Sequence, residues 1–351
     1  MNPDKERQPR LADVAAHAGV SMATVSRVIN RPDQVSHPTR ARVREAIRSL
    51  GYVPSNPRPS EEAPGLRLVA LLIPDIQNPY FAAIVRGVED EIELEGLSLL
   101  LFHTAEDAER EERTLRRLLD AELDGVIVFG SRLPSSTLVE FQRESRLPLV
   151  VINRQIEDPN VACVLIDSEQ ATWRAARYLL SLGYRRIAFL AGPGASESST
   201  ARQKGIERAL AEVGQELPEQ WLTPGFPDIA GGFQAMMSLL GSENPPSAVL
   251  VYNDLMALGA LHAIRSRGMR VPDDISLVGF DDISMAAHAN PPLTTINQPK
   301  NRMGRLAVQL LLRMRRGELK PGDGYVLLES PLIIRESTAR PAAIYAQKEP
   351  K

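Results

Sequence analysis

The chain has 351 residues, 43% of them hydrophobic and 24% charged, with a single cysteine and a formal net charge of −3. That length supports two or three domains with sizeable cores, and the composition excludes a disordered chain; one cysteine excludes a disulfide framework, and without a CxxC or Cys/His cluster no metal or other cofactor is expected. The charge is unevenly placed: residues 1–60 hold ten Lys or Arg against five Asp or Glu, net +5, and the remainder 31 against 39, net −8, so the cationic face that a polyanion needs is local to the N-terminus.

Residues 1–10 are charged and polar with no apolar run behind them, and nowhere do eighteen apolar residues follow one another. Neither a secretory signal nor a membrane span is expected, which places the protein in the cytoplasm. Three helical patterns then fill residues 11–18, 21–30 and 39–50, the last closed by Gly51. The first two flank Gly19, which tolerates the positive φ of a tight interhelical turn. Ala15, Val20, Val25 and Val28 supply the inner face of this headpiece, and Ser21 is placed to cap the second helix. Met22, Ala23, Ser26 and Arg27 fall together on its outer face, which can enter a major groove. Arg27 has the fork for a guanine, Met22 and Ala23 offer apolar contact to a thymine methyl, and Thr24, Ser36 and Thr39 can hold phosphates. The following stretch, residues 54–65, carries Pro54, Pro57, Pro59 and Pro64 and reads as an extended linker.

From residue 66 short runs of Val, Ile and Leu alternate with amphipathic helical segments: 68–73 then 81–94, 97–102 then 108–121, and 125–129. The pattern restarts with runs at 149–152, 161–166, 187–191, 248–252 and 275–279, and helical stretches such as 170–182 and 254–267. This alternation predicts parallel sheets covered on both faces, arranged as two similar α/β lobes with a cleft between them. Cys163, in the middle of the 161–166 run, is expected to be a buried thiol. Residues 341–351 lack periodicity and read as a tail.

Ligands of doubly wound sheets bind beyond the carboxyl ends of the strands. The residues found there are polar: Asp75, Gln77 and Asn78 after the first strand, Asn153-Arg154, Asn253-Asp254, Asp281-Asp282, and a loop over 192–202 ending in Arg202. Amide, carboxylate and guanidinium groups converging in a cleft suit the hydroxyls of a sugar or the edge of a nucleobase. Asp75 and Asp254 have a second reading as helix caps, and Tyr80 and Phe81 as core. No GxSxG, HExxH or GxxxxGK[ST] motif is present, so catalysis is not expected.

The stretch from Val14 to Asn30, VAAHAGVSMATVSRVIN, resembles the headpiece of the lactose-repressor-type (LacI/GalR) family of transcription regulators, and Val35-Ser36, Thr39-Arg40 and Leu50-Gly51-Tyr52 continue in register. The resemblance spans nearly the whole chain. It implies an all-α helix-turn-helix headpiece (residues 1–53), an atypical hinge (54–65), and a core of two doubly wound parallel-sheet lobes of periplasmic-binding-protein type (66–340). The implied function is that of a repressor, acting as a homodimer on double-stranded operator DNA under control of a small effector, a sugar before a purine. It adds Asn30 and Tyr52 to the DNA-facing set. By motif match, Arg202 in ARQKG, Asn253 in YNDLMALG and Asp281 in VGFDD are the effector-binding residues, joined by Asn78, Phe81 and Asn153, with Phe226 beside the family's aromatic stacking position. A hinge helix that wedges a leucine into the minor groove is usual in the family; here Pro57, Pro59 and Glu61 occupy that stretch, so a distorted hinge and a weaker operator bend are expected. The alternative reading is a sugar receptor that does not bind DNA.

Overall fold

The computed structural model describes residues 11–30, 35–50, 67–194 and 196–341, and the chain separates into two units, Met1–Gly65 and Leu66–Lys351. The linker 54–65, Tyr52 and the tail 342–351 lie outside the described residues, as does the side chain of Asn30.

The first unit holds α1 (Leu11–Ala18), α2 (Met22–Asn30) and α3 (His37–Leu50). Gly19 turns the chain at φ +63°, and the N–H of Val20 closes back onto the carbonyl of Ala15 at 3.0 Å. Ser21 Oγ accepts the Thr24 N–H at 3.1 Å, satisfying a helix-terminal donor that would otherwise lack a partner. Val14, Ala15, Ala18, Val25, Val28, Val43 and Ala46 form the core. These small side chains let three short helices approach closely, and tertiary packing supplies stability that helices of this length lack on their own.

The second unit opens with β1 (Leu68–Ile73), α4 (Pro79–Leu94), β2 (Ser98–His103), α5 (Ala108–Leu118), β3 (Gly125–Phe129), α6 (Ser135–Ser145), β4 (Leu149–Ile152) and β5 (Val161–Ile166). It continues through α7 (Ser168–Leu182), β6 (Ile187–Ala191), α8 (Glu197–Ala211), β7 (Leu222–Pro224), α9 (Ile229–Leu240), β8 (Ala248–Val251), α10 (Asp254–Ser266), β9 (Ser276–Asp281), α11 (Ser284–His288) and β10 (Thr294–Asn297). It ends with α12 (Lys300–Arg315), β11 (Tyr325–Leu328) and β12 (Leu332–Ile333). One sheet runs β11-β5-β4-β3-β1-β2 and the other β12-β10-β9-β8-β6-β7. Pairing is parallel throughout except between β10 and β12. Because α12 packs on α4 and the first sheet, the chain passes between the lobes after β5, after β10 and after β11.

The central strands β3, β4 and β5 are buried along their whole length, which is why they read as unbroken apolar runs rather than alternating ones. Cys163 is buried in β5, and desolvation pushes its thiol pKa up, leaving an unreactive thiol. Among the described residues, no helix is long and apolar enough to cross a membrane.

Candidate functional site

In the headpiece, Met22, Ala23 and Arg27 are exposed on one side of α2, with Met22 at 56% exposure, while Val25 and Val28 on the opposite side are buried. Thr24 and Ser26 are half-buried at the border between the two. The side chains of Met22, Ala23 and Arg27 are therefore free of the headpiece core and open to contact from outside the unit. Ser21 and Thr24 share a hydroxyl contact of 2.9 Å, and Ser36 and Thr39 one of 3.0 Å at the start of α3. Each pair brings hydroxyls and the helix N-terminal N–H groups together, the arrangement that suits a phosphate oxygen.

In the second unit, the strand ends of the two lobes face one another across a cavity of about 300 Å³. Asn78, Phe81, Asn153, Arg202, Phe226, Asn253 and Asp281 all line it. Their states differ. Asn78 caps α4, accepting the Tyr80 N–H at 2.9 Å with Pro79 at the first helical position. Asn253 caps α10, accepting the Met256 N–H at 2.8 Å while its Nδ2 donates to the Pro227 carbonyl at 3.0 Å. The caps are therefore these asparagines, not Asp75 and Asp254 as the second reading of the sequence had them. Asp75 accepts the Gln77 N–H at 2.9 Å within its own loop. Asp254 lies inside α10, fully buried, where it accepts from the Thr295 hydroxyl at 2.6 Å and the Ile283 N–H at 2.9 Å. Burial, with the Asp281 charge added, pushes the Asp254 carboxyl well up. Phe226 is 58% exposed at the mouth, so it offers a ring face without displacing core.

Arg202 is 4% exposed; its guanidinium lies 4.4 Å from the centre of the Tyr252 ring and 3.6 Å from that of Phe280, and it donates to the Tyr252 carbonyl. Its Nε has no partner, and neither has Asn153 Oδ1. A buried donor and acceptor left unmet each cost about 1–3 kcal/mol, so the cleft carries unused hydrogen-bonding capacity on both lobes. Asn153 and Asp281 are held at φ +60° and +118°, backbone strain that a surrounding structure sustains chiefly at sites with a task.

Sequence reasoning missed a hydrogen-bond chain that joins the lobes behind these residues. Asn153 Nδ2 donates to the Tyr80 hydroxyl at 3.0 Å, Tyr80 donates to Gln298 Oε1 at 2.6 Å, and Gln298 Nε2 donates to Asp281 Oδ1 at 2.6 Å. Burial, followed by the Asp281 charge, holds the Tyr80 phenol well above its ordinary pKa, so it stays a donor. Asp281 itself is pushed up to about 6 by burial, against the pull of Arg202 and Lys300 and the Gln298 hydrogen bond. A second link across the cleft pairs Arg154 Nε with Glu197 Oε1 at 2.8 Å. Arg132 and Glu106 also line the cavity; the strand-end rule, applied after β2 and β3, finds both. Gln298 had no such signal, since it follows β10, which the apolar-run pattern does not reveal. Among the described residues, no group of three His, Cys, Asp or Glu side chains could hold a metal ion.

The profile described as bacterial regulatory proteins, lacI family, matches residues 10–55, and that of a periplasmic binding protein-like domain matches residues 176–338. The HTH-type transcriptional repressor CytR of Escherichia coli (strain K12) is 36% identical over 334 residues, 95% of this chain and 97% of that protein. PurR of Aliivibrio fischeri (strain MJ11) is 34% identical over 304 residues, 86% of this chain and 90% of that protein. Among solved structures, the regulator CelR in complex with cellobiose shares 36% identity and a TM-score of 0.70 over 94% of this chain and 99% of that one. The lac repressor dimer bound to operator and the anti-inducer ONPF shares 30% identity and a TM-score of 0.72 over 95% and 100%. With full-length similarity to curated repressors, a matching headpiece and two parallel-sheet lobes around one cleft, the chain belongs to the LacI family of bacterial transcription regulators.

Proposed function

We propose that this repressor reads a near-palindromic operator as a symmetric dimer, with α2 in the major groove of each half-site, and that a small polar effector in the inter-lobe cleft sets its DNA affinity. The effector is a sugar or sugar derivative. Residues 1–53 serve as the headpiece, 54–65 as a hinge without the usual wedge, and 66–340 as the sensing and dimerising core.

The observation that carries this reading is the convergence of Asn78, Phe81, Asn153, Arg202, Phe226, Asn253 and Asp281, widely separated in the chain, on one 300 Å³ cavity. On the DNA side, Arg27, Met22 and Ala23 form the base-reading group, and Ser21, Thr24, Ser36 and Thr39 the phosphate-positioning group; Ser26, Asn30 and Tyr52 belong to the same surface by family motif. The cellobiose carried by the CelR structure supports a sugar. A purine or nucleoside is the second reading, favoured by the edge-to-face cluster of Tyr80, Phe81 and Phe129, with ring centres 5.0–5.6 Å apart, in the cavity wall. Ligand bound between the lobes draws on groups from both, so it stabilises one relative arrangement and shifts the population competent for DNA.

The test is fluorescence anisotropy with a pool of labelled palindromic half-site DNAs, at several salt concentrations and with sugars and nucleosides added. A preferred DNA, a steep negative slope of log affinity against log salt and one compound that changes affinity are expected. A flat salt slope with no preferred DNA refutes the headpiece assignment. DNA binding that no compound alters refutes the effector assignment.

A further inference from the structure

We infer that the cleft takes an electroneutral, unphosphorylated ligand, because Glu106 already neutralises Arg132 and the charge left in the cavity is acidic. This rests on the cleft being the effector site.

The charged groups lining the cavity are Asp75, Glu106, Asp228, Asp281, Arg132 and Arg202, with His103 beside Asp75. Arg132 Nε and Nη2 both donate to Glu106 Oε2, at 2.8 and 2.5 Å, and the two side chains are 12% and 11% exposed. Burial works most strongly against the Arg132 cation, and the charge and hydrogen bond of Glu106 together with those of Tyr252 outweigh it, so its pKa is raised. The pair is built in rather than incidental. Ala105 and Glu106 sit at φ +57° and +58°, a region that side-chain-bearing residues rarely adopt, and the result delivers the Glu106 carboxylate to Arg132. From below, the buried Glu111 accepts the Arg132 backbone N–H at 2.9 Å. Arg202 is packed against two aromatic rings, and its charge pulls the Asp281 carboxyl down against burial. With the two arginines set against Glu106 and Asp281, the carboxylates left over are Asp75, which accepts the Gln77 N–H beside His103, and Asp228, which caps α9 by accepting the Gly231 N–H at 2.6 Å, so the remaining formal charge is acidic.

A phosphoryl group binds where cations with free N–H forks converge. In this cleft it would displace Glu106 from Arg132 and meet the further carboxylates of Asp75 and Asp228. Hydroxyls meet the opposite situation: carboxylates, amide carbonyls and Asn153 Oδ1 accept from them, and the Arg202 Nε donates. The same electrostatics that reject an anion therefore admit a polyol or a nucleoside.

The test uses the full-length protein, its Glu106→Gln variant and the Glu106→Gln/Arg132→Gln double variant. Calorimetry and thermal unfolding are run with inorganic phosphate, against chloride at equal ionic strength, and with matched pairs: ribose and ribose 5-phosphate, glucose and glucose 6-phosphate, a nucleoside and its 5′-monophosphate. For any pair whose neutral member binds, the phosphorylated twin is expected about 100-fold weaker on the wild type, and Glu106→Gln is expected to recover most of that loss while the double variant does not. Equal or tighter binding of the phosphorylated twin by the wild type overturns the inference. If no neutral member binds, the sugar and nucleoside readings of the cleft fall, and phosphate alone decides this one. Phosphate binding by Glu106→Gln that is absent from the wild type and the double variant supports it, and binding by the wild type or no gain in Glu106→Gln overturns it. Should Glu106→Gln not fold, the wild type suffices, with site binding of phosphate overturning the inference and its absence supporting it.

Discussion

Replacing Asp281 by Asn should stabilise the core at neutral pH while damaging the site. The Asp281 carboxyl is pushed from 3.8 to about 6, by burial acting against Arg202, Lys300 and Gln298. For an acid whose pKa is raised by folding, the protonated form is the stabilising one: its contribution is fully present below pH 3.8 and is lost as pH rises through about 6. A shift of roughly two units at about 1.36 kcal/mol each corresponds to about 3 kcal/mol. Asn mimics the neutral carboxyl at every pH, so the variant should exceed the wild type by about 3 kcal/mol above pH 7 and converge with it below pH 4. Both tryptophans, Trp173 and Trp221, lie in the second lobe with Asp281, so urea unfolding followed by tryptophan fluorescence between pH 4 and 8 reads the relevant region. The same substitution removes a charged acceptor from the cleft and should weaken effector binding, the exchange of stability for function expected where a carboxylate is held ionised against burial. Wild-type and variant stabilities that stay parallel across this range, or a variant less stable at pH 7.5, would refute the assignment of Asp281 as a strained, ionised group.

Arg27→Ala should lower operator affinity by about 1–3 kcal/mol, or about 5- to 150-fold, and relax preference at one base pair; anisotropy with single-base operator variants checks both, and unchanged selectivity counts against the groove assignment of α2. Gly259→Ala should destabilise the core by more than about 2 kcal/mol, since its Cβ would run into the backbone at Ile229 and Phe233 where α9 crosses α10; a urea midpoint equal to wild type would show that the helices can part at little cost. Operator bending, measured by gel mobility on circularly permuted fragments, should be smaller than that of the lac repressor because Pro57, Pro59 and Glu61 replace the usual wedge; an equal kink would mean the hinge works without a leucine. Glu197→Ala should weaken effector binding by no more than about 1 kcal/mol, the worth of a half-exposed ion pair closing the cleft, and a larger loss would place Glu197 in contact with the ligand.

Local rules carried the reading furthest where a residue's role depends on its neighbours in the chain. The turn at Gly19, the Ser21 cap and the split of α2 into buried Val25 and Val28 against exposed Met22 and Arg27 all follow from helical periodicity. The buried strands stood out because a parallel sheet covered on both faces demands unbroken apolar runs. Strand ends then located the cleft groups, since the fold class dictates that ligands sit there.

What the sequence withheld depends on residues far apart along it. The three-residue β7 and the two-residue β12 are too short to show a period, and β10 borders polar residues that belong to the crossing between lobes. With those strands unread, Gln298 could not be placed, although it links Tyr80, 218 residues away, to Asp281. The glycines Gly87 and Gly304 show their purpose only where α4 and α12 meet backbone to backbone, in a contact no helical pattern encodes. Spacing along the chain determined the headpiece helices, the longer buried strands and the polar residues at their ends, because those follow from local periodicity, while the effector roles of Arg202, Asn253 and Asp281 and the place of Phe226 came from likeness to the LacI family. Which of those residues spend their hydrogen bonds on caps, which keep one unused, and which charges cancel in the cleft were decided only by the tertiary structure, because pairing and burial are set by distances between strand ends that the chain brings together last.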